Sequence, residues 1–370
     1  VLEVPAATGA GLFGTVVDAW QVPLIDLGPS GEDQGKGGKF LLLPPDFKGE
    51  VPPGYFPVRS QTYNGFAGFR AIAKTEGADD VAKALALIKQ VRIYPLLKAG
   101  SPPKQQPAQA TVCRIYGKVY DGIVRFDESL FVSLSKMINE EPVLPRDKEM
   151  KGLLLTLGIE KGKDFKSDPA TQATLKAAAQ ATHFWFMQSL LTYGVQFWPD
   201  QKWLVPVSPI GPETGFKWET ANLFDVDARG IGFFSFNTPP AKQGAATFYL
   251  ATYVDGQGAK LRGENTYRLH VPANVPVKQF WAVTLYDLET CGFIRDVTSV
   301  GLDSYDQKMH RNDDGSVDLY FGPKAPAGHE ANWIPTVSGR GYFPWFRFYA
   351  PDKPLFDKSW KLPDIEAVKQ

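Results

Sequence analysis

The residues in this chain best able to do chemistry are aromatic rings interleaved with arginines. Along Phe280 to Asp287, strand alternation sets Trp281 and Asp287 on one face and Phe280, Thr284 and Tyr286 on the other, while near the C-terminus Trp345, Arg347 and Tyr349 share a face. Rings stack on a planar ligand, and a guanidinium makes forked hydrogen bonds to a carboxylate. The same residues also suit a sandwich core rimmed by polar tips, so the pattern alone admits both readings. As the wall of a ligand site the candidates are Asp18, Trp20, Arg59, Tyr63 and Arg70 from the first part of the chain, with Arg229, Trp281, Tyr286, Asp287 and Arg295 from the second. In such a site the arginines orient a carboxylate, the rings stack, and Asp18 or Asp287 works as acid or base if burial raises its pKa.

Other chemistries find less support. Gly9-Ala10-Gly11-Leu12-Phe13-Gly14 matches the dinucleotide fingerprint in letters, but Thr15 to Trp20 after it alternate like a strand, where a pyrophosphate needs a helix N-terminus. A glycine turn between strands is expected there, and no cofactor. The chain has no Gly-x-Ser-x-Gly elbow, no Gly-Lys-Ser/Thr phosphate loop, no Cys-x-x-Cys pair and no His-Glu-x-x-His helix. His183 falls in a helical pattern and His270 in a strand, and no serine is nominated to pair with His270 as base. Asp225-Val226-Asp227 and Asn312-Asp313-Asp314 lack the spacing and closing glutamate of a calcium loop and read as polar turns, so no metal is expected.

Composition narrows the partners. Lysines plus arginines equal aspartates plus glutamates at 40 each, so no net field draws the chain of 370 residues to nucleic acid or an anionic membrane, and neither is expected as a partner. No apolar run approaches the roughly 20 residues needed to cross a bilayer. Aromatics at 13%, with 30 prolines and 35 glycines, favour short strands joined by many turns over a doubly wound sheet. Cys113 and Cys291 suit one bridge or two buried thiols, the second being favoured because free cysteine behaves as a small hydrophobe.

The elements that must carry these residues read as β-rich, then helical, then β-rich. Val1 to Pro5 reads as a strand, which suggests an upstream segment. Phe13 to Trp20 alternates with Asp18 and Trp20 on one face; a glycine-rich loop from Gly28 to Gly38 follows, then strands at Phe40–Leu43, Tyr55–Arg59 and Phe66–Ala73 in a meander. Asp79-Asp80 begin a helix carrying Val81, Leu85, Ile88 and Val91, which Pro95 stops. Pro102 to Pro107 looks like a linker. Three helices come next: one capped by Asp127, one carrying Met150, Leu153, Leu154 and Leu157 and ending at Gly158, and one opened by Asp168-Pro169 with Leu175, Ala179, Phe186 and Leu190 inward. Beyond Trp198 strands return at Gly232–Phe236, Thr247–Val254, Thr266–Val271, Phe280–Asp287, Val317–Phe321 and Tyr342–Tyr349. The expected fold is mainly β with a helical middle layer: an N-terminal β-rich domain over 1–107, a helical connection over 108–198 and an antiparallel jelly-roll-like sandwich over 199–370.

Ordered blocks across nearly the whole chain resemble bacterial proteins that join domain of unknown function 1254 to domain of unknown function 1214. They include Asp18-Ala19-Trp20, Lys48-Gly49-Glu50-Val51-Pro52, Glu141-Pro142-Val143, Asp227-Ala228-Arg229-Gly230, Tyr267-Arg268-Leu269, Val271 to Pro276, Gln279 to Arg295, Tyr320 to Pro326 and Asn332-Trp333-Ile334-Pro335. The resemblance implies two β-rich domains with a helical connection, often as homo-oligomers such as dimers or tetramers, and often exported, which leans toward the periplasm. It brings no reaction and no catalytic residues. The leading expectation is a protein that binds a small aromatic or carboxylated molecule in a cleft between the two β-rich domains; whether it is also an enzyme is left open by the sequence, a cofactor-independent hydrolase being the first expectation if it is. The rivals are an assembly role through sandwich faces and carbohydrate recognition by exposed tryptophans.

Overall fold

The computed structural model describes residues 1–29, 31–75, 77–103, 114–115, 118–119, 125–190, 193–206, 217–235, 241 and 247–368. The chain divides into two compact units, Val1–Phe186 with Phe236–Ala241 and Met187–Ser235 with Lys242–Gln370, each built mainly on antiparallel strands.

In the first unit β1 (Leu2–Val4), β2 (Gly11–Asp18), β3 (Pro23–Leu27), β4 (Gly38–Leu43), β5 (Phe56–Arg59) and β6 (Gly65–Ile72) precede helix α1 (Ala78–Ile88) and the short β7 (Arg92–Ile93). They form the sheets β5-β4-β1-β7 and β3-β2-β6. Leu2, Val4 and Phe40 of one sheet share a core with Leu12 and Val16 of the other and with Ala84 and Leu87 of α1. The expected meander does not form. Instead β4 and β5 run parallel, with Phe40 opposite Phe56, because the loop between them crosses over before the chain resumes its direction. Across β2 and β6, Gly14 pairs with Phe69, and a Cβ on Gly14 would lie 2.2 Å from the ring, so only glycine lets the ring cover the strand. Helix α1 stands where its acidic start and spacing put it, but Val81 and Leu85 are exposed and the buried face is Ala84 and Leu87.

After a two-stranded ladder of β8 (Arg114–Ile115) and β9 (Lys118–Val119) come α2 (Ser129–Glu140), α3 (Lys148–Leu155) and α4 (Pro169–Ser189). Their start signals act as read: the Asp127 and Asp168 carboxylates accept the amides of Ser129 and Thr171, each at 2.9 Å. Gly158 takes the left-handed conformation just beyond α3, with φ of +79°. Leu175, Ala179 and Leu190 are buried, the first two on α4. The linker expected over Pro102–Pro107 falls mostly outside the described residues, and Cys113 wholly so.

In the second unit β10 (Val195–Gln196), β11 (Leu204–Val205) and α5 (Val226–Ser235) lead into β12 (Thr247–Ala251), β13 (Tyr267–Val271), β14 (Trp281–Asp287), β15 (Gly301–Asp303), β16 (Val317–Gly322), β17 (Trp333–Pro335) and β18 (Tyr342–Tyr349), followed by α6 (Lys353–Phe356) and β19 (Glu366–Ala367). A six-stranded sheet, β10-β11-β12-β18-β14-β15, and a four-stranded one, β17-β16-β13-β19, share a single core. Phe248, Trp281, Val283 and Phe346 from the first meet Leu269, Val317, Leu319 and Phe321 from the second in that core, which makes the unit a β-sandwich. The strand expected at Gly232–Phe236 is instead helical through Ser235. Asp225 caps α5 by accepting the Ala228 amide at 2.9 Å, and Ala228 and Ile231, three apart, supply its buried face. Trp218 lies against Gly232, where a Cβ would meet its ring at 2.2 Å. A run of apolar letters hides helical spacing when a small residue and a distant ring complete the contact.

Candidate functional site

The six-stranded sheet has one face in the sandwich core and a second, outer face that is nearly as aromatic. Register fixes who stands on it. Tyr249 of β12 pairs with Arg347 of β18, Arg347 with Ala282 of β14, and Ala282 with Asp303 of β15, so one row crosses four strands with a cation and a carboxyl either side of a methyl group. The next row carries Ala251, Trp345, Thr284 and Gly301, and the one beyond it Phe343 and Tyr286. On the other side Phe280 stacks on Tyr349 at 4.0 Å between ring centres and packs on Tyr305 at 4.8 Å. The face shared by Phe280, Thr284 and Tyr286 and that shared by Trp345, Arg347 and Tyr349 are therefore one surface.

Arg347 is its centre. The guanidinium carbon lies 5.4, 5.6 and 5.9 Å from the ring centres of Tyr249, Tyr286 and Trp345, and Nη2 donates to the Tyr286 hydroxyl. Its Nε is buried and has no hydrogen-bond partner among the described residues; burial disfavours its charge, Tyr286, Tyr349 and Tyr249 outweigh that, and no carboxylate among the described residues pairs with it. Burial pushes the Tyr286 phenol up, with the Arg347 charge offsetting part of that rise. Asp303 is also perturbed: burial pushes its carboxyl up, the Tyr305 amide at 2.8 Å draws it back in part, and Asp306 adds to the rise.

The residues singled out in the sequence fall in several places. Tyr286 stands on this outer face. Trp281 is on the opposite face, in the core, stacked on Phe346 at 5.4 Å. Asp287, at the end of β14, is buried but is not raised in pKa: burial pushes it up, and the Arg340 Nε at 2.6 Å, the Thr290 amide and the Thr290 hydroxyl outweigh that and hold it below the usual carboxylate range. That direction is opposite to what acid–base work near neutrality needs. Arg229 lies on α5 over the rings of Phe224 and Phe233 at 5.0 and 4.6 Å, and Arg295 is exposed in the loop after β14.

In the first unit Asp18 is buried at the end of β2, where its Oδ1 accepts the amides of Trp20 and Val22 at 2.8 and 2.9 Å. Those bonds turn the chain into β3, so Ala19 and Trp20 belong to a turn and not to the alternating strand expected through Trp20. Arg59 ends β5 and Arg70 lies on β6, both exposed. Tyr63 is exposed between those strands, and its amide donates to the buried Glu141 carboxylate at 2.7 Å. Asp303 and Tyr249 were not singled out in the sequence. Tyr249 could have been found by pairing the alternation of Thr247–Ala251 with that of Tyr342–Tyr349, but Asp303 reaches the site only through the β14–β15 register.

Among the described residues no three of His, Cys, Asp and Glu gather as a metal set, and no helix is long and apolar enough to cross a membrane. Gly9 to Gly14 turn into β2, which gives no helix N-terminus for a dinucleotide. The Asn312–Asp314 segment is a polar turn in which Asp314 accepts the amide and hydroxyl of Ser316. His270 pairs with Asp318 across β13 and β16 at 2.9 Å. Cys291 is a free, partly buried thiol that burial pushes up to about 12.

No curated protein matches the chain significantly. Among solved structures, the VPA0106 protein from Vibrio parahaemolyticus is similar with a TM-score of 0.54 at 18% identity, over 100% of this chain and 85% of that one. An uncharacterised protein from Burkholderia cenocepacia aligns with a TM-score of 0.35 at 13% identity, over 99% of this chain and 71% of that one. The first likeness bears on the fold alone. Family models match at both ends, protein of unknown function DUF1254 over residues 1–95 and protein of unknown function DUF1214 over residues 246–353, and the chain belongs with the two-domain proteins that carry the first N-terminal to the second.

Proposed function

We propose that the C-terminal unit binds a small planar carboxylate on the outer face of its six-stranded sheet, with Arg347 forking onto the carboxylate and Tyr249, Tyr286 and Trp345 flanking the rest. One observation carries the reading. A guanidinium walled by rings and held by tyrosine hydroxyls, with an orphaned Nε–H and no acidic partner among the described residues, keeps its charge and one free donor for an anion. Asp303 stands two strands away, about 10 Å by strand spacing, with only Ala282 between. If the ligand is an ester or amide, Asp303 is the group placed to take the proton of an attacking water and return it to the leaving oxygen or nitrogen.

Calorimetry with benzoate and with its neutral amide tests this. Wild-type protein is expected to bind the acid and not the amide, and Arg347→Met is expected to lose binding while still folding, since methionine keeps apolar packing among the rings and removes the charge with its tyrosine hydrogen bond. Equal binding by Arg347→Met, or no binding of benzoate or of a panel of larger aromatic acids, would end the reading. A second reading, self-association, is favoured by exposed apolar side chains in the first unit: Val81 and Leu85 one turn apart on α1, and Leu97 wholly exposed. Native mass spectrometry showing only monomer at micromolar concentration would remove it.

A further inference from the structure

The second unit also holds a cavity that Arg347 does not line, although Tyr305 borders both. At one end of the sandwich, a cavity of about 270 Å³ opens between the loop that follows β13 and the turns that flank β15 and β16. Val271, Val277, Trp281 and Val317 are among its apolar lining residues. Arg311, Ser304 and Gln279 are among its polar lining residues.

Two of these polar groups are incompletely used. The Gln279 Oε1 is buried and accepts no hydrogen bond among the described residues. Arg311 is exposed, its Nη2 donates to the Ser304 carbonyl oxygen at 3.0 Å, and it has no carboxylate partner among the described residues. The walls, by contrast, are tightly held. The Trp360 indole donates to the Ala273 carbonyl at 3.2 Å, Asp352 donates its amide to Pro276 at 2.9 Å, and Lys278 donates its amide to Ala350 at 2.9 Å. Asn274 takes a left-handed φ of +56° in the loop after β13, and Gly315 before β16 is also left-handed at +82°. These hydrogen bonds anchor the loop from Ala273 to Lys278 on the cavity's edge, which lowers the cost of ordering it around a ligand.

We infer that this cavity is a binding site for a short-chain aliphatic hydroxy acid, its carboxylate on Arg311, its hydroxyl donating to Gln279 Oε1 and its alkyl group on the valines and Trp281. Size, charge and donor count each select the ligand. The volume falls below the roughly 300 Å³ at which sites for drug-sized molecules begin, so the ligand is small. The exposed Arg311 guanidinium, which has no carboxylate partner among the described residues, suits an anion. A buried carbonyl oxygen calls for a donor, and since no carboxylate lines the cavity, a hydroxyl serves where an ammonium would stand uncompensated.

Titration of the intact protein with 2-hydroxy-3-methylbutanoate, with 3-methylbutanoate as the analogue lacking the hydroxyl, tests the inference by ligand-observed NMR. The hydroxy acid is expected to bind at least about tenfold more tightly than its analogue. Arg311→Met and Gln279→Leu are each expected to weaken it by a similar factor, Gln279→Leu without loss of thermal stability because it deletes an unmet polar atom. Arg347→Met is expected to leave it unchanged, which separates this site from the one on the sheet face. The inference is overturned if neither acid binds, if the two bind alike, if Gln279→Leu binds as wild type does, or if Arg347→Met abolishes binding.

Discussion

Arg347 and Asp287 show opposite fates for a charge at the edge of burial. Asp287 is answered on every side: Arg340 on one oxygen, and the amides of Glu289 and Thr290 with the Thr290 hydroxyl on the other. Replacing it with alanine strands several of these donors, and a loss of about 2–3 kcal/mol is expected in chemical denaturation. The pH dependence follows from its depressed pKa. The stabilisation is full above the ordinary carboxylate value of about 4 and disappears as pH falls through the lower folded value, so the gap between wild type and Asp287→Asn should close only in acid. Asp303 has the reverse sign. Its raised folded pKa means that ionising it costs stability as pH climbs from about 4 through the folded value, so Asp303→Asn should raise the thermal midpoint at pH 7 and match wild type near pH 3. A midpoint lowered at pH 7 would contradict that. Asp303 and Arg347 thus stand on one face with neutral hydrogen-bond partners, the Tyr305 amide and the Tyr286 hydroxyl, and no opposite charge in contact among the described residues.

At the scale of elements, several residues that carry the family resemblance turn out to hold loops and helix ends. Glu141, just past α2, is buried and accepts the amides of Tyr63 and Asn64 and the Asn64 side chain, tying the β5–β6 loop to the helix. Lys161 in turn covers the end of α2, its ammonium donating to the carbonyls of Asn139 and Glu141. Glu141→Ala removes three charge-assisted acceptor bonds at once and is expected to cost about 3 kcal/mol, with Glu141→Gln recovering part of it; equal stability of wild type and alanine variant would show the clamp to be idle. Asn332 does similar duty in the second unit, accepting the His310 amide and donating to the carbonyls of His310 and Asp318. In α5, Gly232→Ala improves helix propensity by up to about 1 kcal/mol yet drives a methyl into Trp218. The clash should win, with a net loss of 1 kcal/mol or more on the usual scale of about 1–3 for overpacking, and near-ultraviolet dichroism should report the displaced indole.

For the whole molecule, the folded unit is larger than the sequence family that marks it. Residues 246–353 omit Trp198 and Trp203 on one side and Leu355, Trp360, Leu362 and Ile365 on the other, all buried in the sandwich core. A fragment limited to 246–353 is therefore expected to lack a cooperative unfolding transition, while one spanning 187–370 should keep it. Cooperative melting of the shorter fragment would show those indoles to be dispensable.

Local chemistry alone determined the cap residues of α2 and α4, the glycine stop after α3 and the alternation of β12, β13, β14, β16 and β18, because caps and pleats act over a few residues. It also placed Trp345, Arg347 and Tyr349 together, since a period of two needs no partner strand. What the tertiary structure decided was everything that depends on a neighbour distant in sequence: the parallel β4–β5 pair, the helix where Gly232 sits under Trp218, the face of α1 that is buried, and whether a carboxylate meets an arginine. Asp287 and Asp303 look alike in the chain. Only the fold gives one of them Arg340 and sets the other on the ring-lined face of Arg347, because ionisation responds to what packs within a few ångströms and not to what precedes it in sequence.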